Sequence, residues 1–166
     1  MSGVLIRLNT NGTWRRMLGQ AELDLHMRDV EILLRAVAVA KDSESYRPSM
    51  VQFLNRFSQS AQSFDSPTVL EISETVSWFF DACSDLGSQA FLSRQGRFTV
   101  PLFEATFASA CQGRPTLGSD WRLTDNIVTA IRNDEDFQSH SQEQTTNATH
   151  VLGRLSAARK YLTADR

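Results

Sequence analysis

The side chains best suited to chemistry are 3 histidines, 2 cysteines and 19 carboxylates, and they fall in no motif of known mechanism. The histidines, His26, His140 and His150, are far apart in the sequence and form no His-x-x-x-His pair, so a zinc site would need the tertiary structure to assemble it. Cys83 and Cys111 lie on apolar stripes at helical spacing, which predicts buried structural thiols.

The tightest acidic cluster is Asp134-Glu135-Asp136. Its spacing is not that of a calcium loop, and consecutive side chains point apart, so it is better interpreted as a helix N-cap with an acidic first turn. The chain also has no glycine-rich phosphate loop and no Gly-x-Ser-x-Gly elbow. The sequence therefore predicts no metal site, no cofactor and no catalysis by this chain alone.

The composition excludes several classes of protein. The net charge of -2 excludes a generally basic nucleic-acid coat or a polybasic membrane binder. No apolar run approaches the length of a membrane span, and the apolar start is too short for a signal sequence. We therefore expect a cytoplasmic, single-domain protein without membrane contact; its oligomeric state stays open.

The basic residues are strongly biased, because all but Lys41 and Lys160 are arginines. One explanation is a GC-rich genome. The other is a need for guanidinium groups, which bind phosphates or carboxylates through two parallel hydrogen bonds. The bias alone does not separate the two.

Apolar residues recur at helical spacing from about Met27 onwards, and neither strand alternation nor a βαβ rhythm is visible. We predict an all-α domain of about six or seven helices in an orthogonal or irregular bundle over residues 26–166. Residues 1–25 form an N-terminal segment with a short strand at Val4–Leu8 or a loop. The expected core residues are Phe53, Val76, Phe79, Phe103, Phe107, Ile127, Leu152 and Leu155.

Turn and capping residues predict where the helices begin and end. One helix should run from Ser66-Pro67 to Gly87, and an exposed loop should follow at Ser88–Thr99. The remaining signals are a start at Pro101, an end at Gly113, a cap at Ser119 or Asp120, and a cap at Thr145 or Thr146.

Several stretches, in order, resemble the ParB-like domain of the GmrSD-type restriction endonucleases. Leu5–Thr13 is similar to that family's Arg-Leu-Asn-Thr-x-Gly type of segment, and His26–Ala40 to its Arg-Met-x-Asp-x-Glu-x-x-Leu-Arg helix. The other similar stretches are Tyr46 with Met50–Leu54, Ser88–Phe91, Pro101–Glu104, Asp136-Phe137, Thr145 and Arg154–Ala158. The resemblance covers most of the chain, and the order and spacing of the motifs carry it.

The resemblance stops short of the catalytic parts. The family's ParB-like half, with its Asp-Gly-Gln-Gln-Arg motif, and its HNH-type nuclease module are not present, and only Trp14–Leu25 fills a stretch that is longer in the family. The resemblance therefore implies a non-catalytic helical subdomain of a defence protein, which contacts DNA or a catalytic nuclease or NTPase chain. The alternative is a plain protein–protein interaction module without a nucleic-acid role.

The candidate contact residues follow from the resemblance together with their chemistry. Arg7, Asn9, Asn11 and Gly12 are expected at the junction with a partner, because asparagine and glycine suit a tight exposed turn and Arg7 offers a guanidinium group. Arg28 and Arg35 lie close to one helical face. One of them should pair with Asp24, Asp29 or Glu31 while the other faces a ligand; alternatively, both brace neighbouring helices through carboxylates.

Overall fold

The computed structural model describes residues 1–142 and 146–163, and this part of the chain is all-helical, as predicted. Its only β-type pairing is an isolated bridge between Leu92 and Phe98. The described residues form nine α-helices, more than the predicted six or seven. They are α1 (Ser2–Leu8), α2 (Gly12–Leu18), α3 (Arg28–Asp42), α4 (Met50–Ser60), α5 (Ser66–Ala82), α6 (Val100–Leu117), α7 (Asp125–Asn133), α8 (Glu135–Ser139) and α9 (Ala148–Arg159).

The N-terminal segment is helical, so the strand predicted at Val4–Leu8 is wrong. Leu5 and Leu8 are buried and are spaced by three residues, which suits one face of a helix better than one face of a strand. Helix α1 packs against α3 and α5, and α2 packs against α5. Both short helices therefore belong to the same core as the rest of the described chain.

Helix α6 lies at the centre of the fold, with α3 and α9 packed on it. All residues from Leu102 to Ala110 are buried, because α6 is covered on every side along this stretch. Most of the predicted core is confirmed. Two residues of the prediction differ: Ile127 is only partly buried, and Leu152 is 42% exposed because α9 turns Val151 and Leu155 inward instead.

Several helix ends differ from the predictions because other residues provide the caps. Asp65, rather than Ser66, is the N-cap of α5, and α5 ends at Ala82, before Gly87. Helix α6 begins next to Pro101, as expected, but continues past Gly113 to Leu117. The N-cap of α7 is Thr124 rather than Ser119 or Asp120, and that of α9 is Asn147 rather than Thr146; Thr145 lies outside the described residues.

The segment between α5 and α6 is less exposed than predicted. Phe91 is fully buried and Leu92 nearly so, because Phe91 packs on Phe103 of α6 in an edge-to-face contact with centroids 5.4 Å apart. Arg94 and Arg97 lie at the exposed tip of this segment. In the described part of the chain, no helix is both long and apolar enough to cross a membrane.

Candidate functional site

Three of the predicted junction residues have structural roles between α1 and α2. Asn9 is only 4% exposed, and its Oδ1 accepts hydrogen bonds from Trp14 Nε1 at 2.8 Å and from Arg15 at 3.2 Å. Asn11 is the N-cap of α2, where its side chain accepts from two backbone N–H groups, and Gly12 is the first residue of that helix. Asn9 and Asn11 both have a φ of -62°, so the expected exposed turn with positive φ is wrong here.

The predicted arginines divide into one braced and two exposed residues. Arg35 donates from Nε to Glu104 of α6, and not to Asp24, Asp29 or Glu31 as one alternative expected. It therefore braces two helices through a carboxylate, which the other alternative expected of both Arg28 and Arg35. Arg7 and Arg28 are exposed, and among the described residues their guanidinium groups form no hydrogen bond or ion pair. Their role as partner contacts stays a prediction.

A buried ion pair between Arg15 and Asp29 fixes the segment that joins α2 to α3. Arg15 NH1 lies 2.6 Å from Asp29 Oδ2, and the two side chains are 9% and 2% exposed. The same guanidinium donates to the carbonyl of Gln20 at 3.0 Å and to that of Glu22. Asp29 in turn accepts from the backbone N–H of Asp24 at 3.0 Å. The buried pair thus binds the backbone of this connecting segment at Gln20, Glu22 and Asp24.

The charge of Asp29 is favoured by its hydrogen bonds. Burial by itself would raise the pKa of this carboxyl, but the hydrogen bonds that it accepts from Asp24 N, Asn9, Arg15 and Val30 N outweigh burial and lower its pKa from 3.8 to about 2. Asp29 is therefore an anion throughout the neutral range, and its partner Arg15 keeps a countercharge.

The segment held in this way, residues 20–27, is here named the Leu25 loop. Its apolar side chains face solvent: Leu25 is 96% exposed, Leu23 54% and Met27 47%. Met27 has a left-handed backbone with φ of 56°, which is rare for a residue with a side chain. Three exposed apolar side chains within five successive residues make this loop a candidate interaction surface. This loop was not among the predicted sites; its signal in the sequence is Leu-Asp-Leu-His-Met, a run with apolar residues between two helices and no strand to bury them.

The centre of the domain holds a buried charge network. Glu104 of α6 is 1% exposed and lies between Arg35 of α3 and Arg154 of α9. Arg154 is completely buried and also donates to the carbonyl of His140 at 2.7 Å. Burial lowers the pKa of Arg154, an effect that Glu104 partly offsets, and burial raises the pKa of the neighbouring Tyr46. The network joins three helices, and its members Glu104 and Arg154 are closed to solvent.

Two of the histidines meet in the fold although they are far apart in the sequence. His140 Nδ1 and His150 Nδ1 are 3.0 Å apart, which requires one nitrogen to donate a proton and the other to accept it. The ring of His140 packs on Gly153 of α9, where a β-carbon would lie 2.7 Å from its Cε1 atom. This pair links the C-terminal end of α8 to α9. Within the described residues, no group of three or more His, Cys, Asp or Glu side chains could hold a metal ion.

The predicted roles of the acidic cluster and of the cysteines can also be compared with the structure. Asp134 is the N-cap of α8, with its carboxylate accepting from Phe137 N at 2.9 Å, so the capping interpretation is confirmed. Cys83 is buried and Cys111 is partly buried, and burial raises the pKa of both thiols. A protonated thiol is a poor nucleophile, so neither residue suggests covalent chemistry.

The arginine bias has a structural use in this fold. Many of the guanidinium groups donate to backbone carbonyls, as Arg16 does to Ser84 at 2.7 Å and Arg132 to Ala90 at 2.5 Å. The arginines with such bonds are Arg15, Arg16, Arg47, Arg122, Arg132 and Arg154. Exposed arginines without a hydrogen bond or ion pair among the described residues are Arg7, Arg28, Arg56, Arg94 and Arg97. Fewer arginines are thus available to phosphates than the composition suggests.

Comparison of the chain with models of known protein families, with curated proteins and with solved structures finds no match.

Proposed function

We propose that this chain is a non-catalytic helical module that binds a protein partner through the Leu25 loop. The observation that carries the proposal is Leu25 itself, 96% exposed directly after Asp24, whose backbone N–H donates to Asp29 of the buried pair. Burying a leucine side chain contributes about 1.5–3 kcal/mol, so a partner gains from covering it. Because the loop is already ordered, binding costs little conformational entropy.

The charges around the loop favour a protein partner over DNA. Glu22 and Glu31 are exposed beside the apolar side chains, and Asp24 lies between them. These carboxylates would repel a phosphate backbone. Only one arginine, Arg28, lies in the stretch from residue 20 to residue 31 to attract it. A partner with an apolar pocket and a basic rim fits this surface best.

The resemblance to the GmrSD-type proteins supports a finer proposal about the partner. In that family the helical part works beside a ParB-like half, so the partner here is proposed to be a chain that carries such a catalytic half. Arg28, exposed directly after the loop, would lie at its contact with that partner, and Arg7, exposed on α1, would lie at a separate contact.

Calorimetric titration with the ParB-like half of a GmrSD-type protein, produced as a separate chain, tests the proposal. Leu25→Asp should weaken binding by at least about tenfold, because it places a charge in the apolar contact. Val51→Asp is the matched control, since Val51 is 67% exposed but lies on α4. Equal affinity of the two variants would contradict the role of the Leu25 loop, and the absence of binding by the unmodified chain would contradict the proposed partner.

A second titration, with fluorescent duplex DNA over a range of salt concentrations, tests the DNA alternative. We expect no saturable binding at about 0.15 M salt. Tight binding with a steep salt dependence, weakened by Arg7→Ala and Arg28→Ala while the melting temperature stays unchanged, would contradict the preference for a protein partner.

A further inference from the structure

An apolar groove runs along the surface between α1 and α5. It encloses about 420 Å³ and is lined by Val4, Arg7, Phe64, Ser66, Val69, Leu70 and Ser73. Leu70 is 58% exposed in it, and Val4, Phe64 and Val69 are only partly buried. A concave apolar surface of this size lies within the range of roughly 300–1,000 Å³ found for binding pockets.

The charge of this groove distinguishes it from the other surface cavities. Among five cavities formed by the described residues, the α1–α5 groove has a cation, Arg7, in its lining and no carboxylate. Each of the other four contains a carboxylate, Glu71, Asp42 or Glu44, beside one or more cations from Lys41, Arg56, Arg114 and Arg159. In the α1–α5 groove no carboxylate of the lining offsets the charge of Arg7, so an acidic ligand would be attracted to it.

We propose that the occupant of the α1–α5 groove is the Leu25 loop of a second copy of the chain. The inference rests on the proposed function, because it concerns the same loop: the second copy and a chain with the ParB-like half would bind the Leu25 loop in alternation. The loop offers three exposed apolar side chains, at Leu23, Leu25 and Met27, to an apolar groove of the same molecule. In each contact one copy supplies the Leu25 loop and the other copy supplies the α1–α5 groove. The two contacting surfaces are therefore different parts of the chain.

The charges of the two surfaces are complementary. Glu22 is exposed directly before Leu23, and Arg7 is exposed in the groove lining. Among the described residues, Arg7 forms no ion pair within its own chain, so its guanidinium is available to a carboxylate of the second copy. The apolar contact gives affinity, and the ion pair between Glu22 and Arg7 gives orientation.

Sedimentation equilibrium of the chain alone, from about 1 µM to 1 mM, tests the inference. The average mass should rise with concentration above that of one chain. Leu25→Asp should weaken the association by at least about tenfold, and Val51→Asp should not change it. Circular dichroism of both variants establishes that they are folded. A constant monomer mass at every concentration, or association that Leu25→Asp leaves unchanged, would overturn the inference.

A charge exchange tests the orientation. Arg7→Glu and Glu22→Arg should each weaken the association, and the double variant should recover at least part of it, because the pair is restored with its signs reversed. Failure of the double variant to recover any association would overturn the assignment of the loop to this groove. A monomeric chain that still binds the ParB-like half through Leu25 would refute the second copy while leaving the proposed function supported.

Discussion

Replacing Glu104 by glutamine is expected to be among the most damaging single changes in the domain. The substitution keeps the shape of the side chain but removes the one negative charge that lies between Arg35 and Arg154. Both arginines then lose their common countercharge, although Arg154 keeps its hydrogen bond to the carbonyl of His140. The effect therefore reports on charge rather than on packing.

The cost follows from the different exposure of the two arginines. The side chain of Arg35 is 18% exposed and can turn its guanidinium towards water, whereas that of Arg154 is 0% exposed. Removing one partner of a buried ion pair typically costs about 3–5 kcal/mol. For a domain of this size, such a loss corresponds to a fall in the melting temperature of about 6–20 °C.

Urea unfolding followed by circular dichroism measures this loss as a lower midpoint with an unchanged slope. Glu71→Gln is the control, because Glu71 is 64% exposed in its pair with Lys41 and should lose no more than about 1 kcal/mol. The double variant Glu104→Gln with Arg154→Met should lose less than the sum of the two single variants.

A stability of Glu104→Gln within about 1 kcal/mol of the unmodified protein, with the same slope, would refute this reasoning. It would mean that the charge of Arg154 does not depend on Glu104. Additive losses in the double variant would have the same meaning, because two groups that interact directly should not act independently.

Two further changes test other parts of the fold. Because the folded pKa of Asp29 lies near 2, below its ordinary 3.8, its contribution of about 2 kcal/mol is present above pH 3.8 and is lost as the pH falls towards 2. Asp29→Asn should remove this pH dependence in urea titrations; an unchanged pH profile would contradict the ion pair. Gly153→Ala should cost about 1–3 kcal/mol, because the β-carbon would overlap the ring of His140. Gly3→Ala, which meets no atom within 4 Å, should not lower the melting temperature, and equal melting temperatures of the two variants would contradict the packing of His140 on Gly153.

The fold class could be predicted because the longer helices carry apolar stripes. Val30, Leu33 and Val37 mark α3 in this way, and its N-terminal half packs as the spacing indicates. Helix α1 has only seven residues, too few for a periodic signal, and its Val-Leu-Ile run favoured a strand. Helix α1 is stabilised by its packing on α3 and α5, and these tertiary contacts cannot be inferred from its own sequence.

The candidate site could be predicted only in part, because its contacts join distant segments. Arg15 and Asp29 are 14 residues apart, and Arg35 and Glu104 are 69 apart, so no local pattern pairs them. Glu104 did leave a signal, as a single carboxylate within the apolar run of α6, which indicates a buried charge with a partner. The exposure of Leu25 left a weaker signal, the stretch Leu-Asp-Leu-His-Met between two helices, because leucine by its residue type favours burial.

The Glu104 network also determines how the chain can come apart. Its members lie early, midway and late in the sequence, on α3, α6 and α9. If α3 or α9 unfolds, Glu104 keeps one arginine but loses its ion pair with the other, and the face of α6 on which the lost helix packs is exposed to water. Partial unfolding of the first or last of these helices therefore costs both an ion pair and the apolar contact with α6. The domain should behave as one cooperative unit, with little population of states in which only one end has frayed.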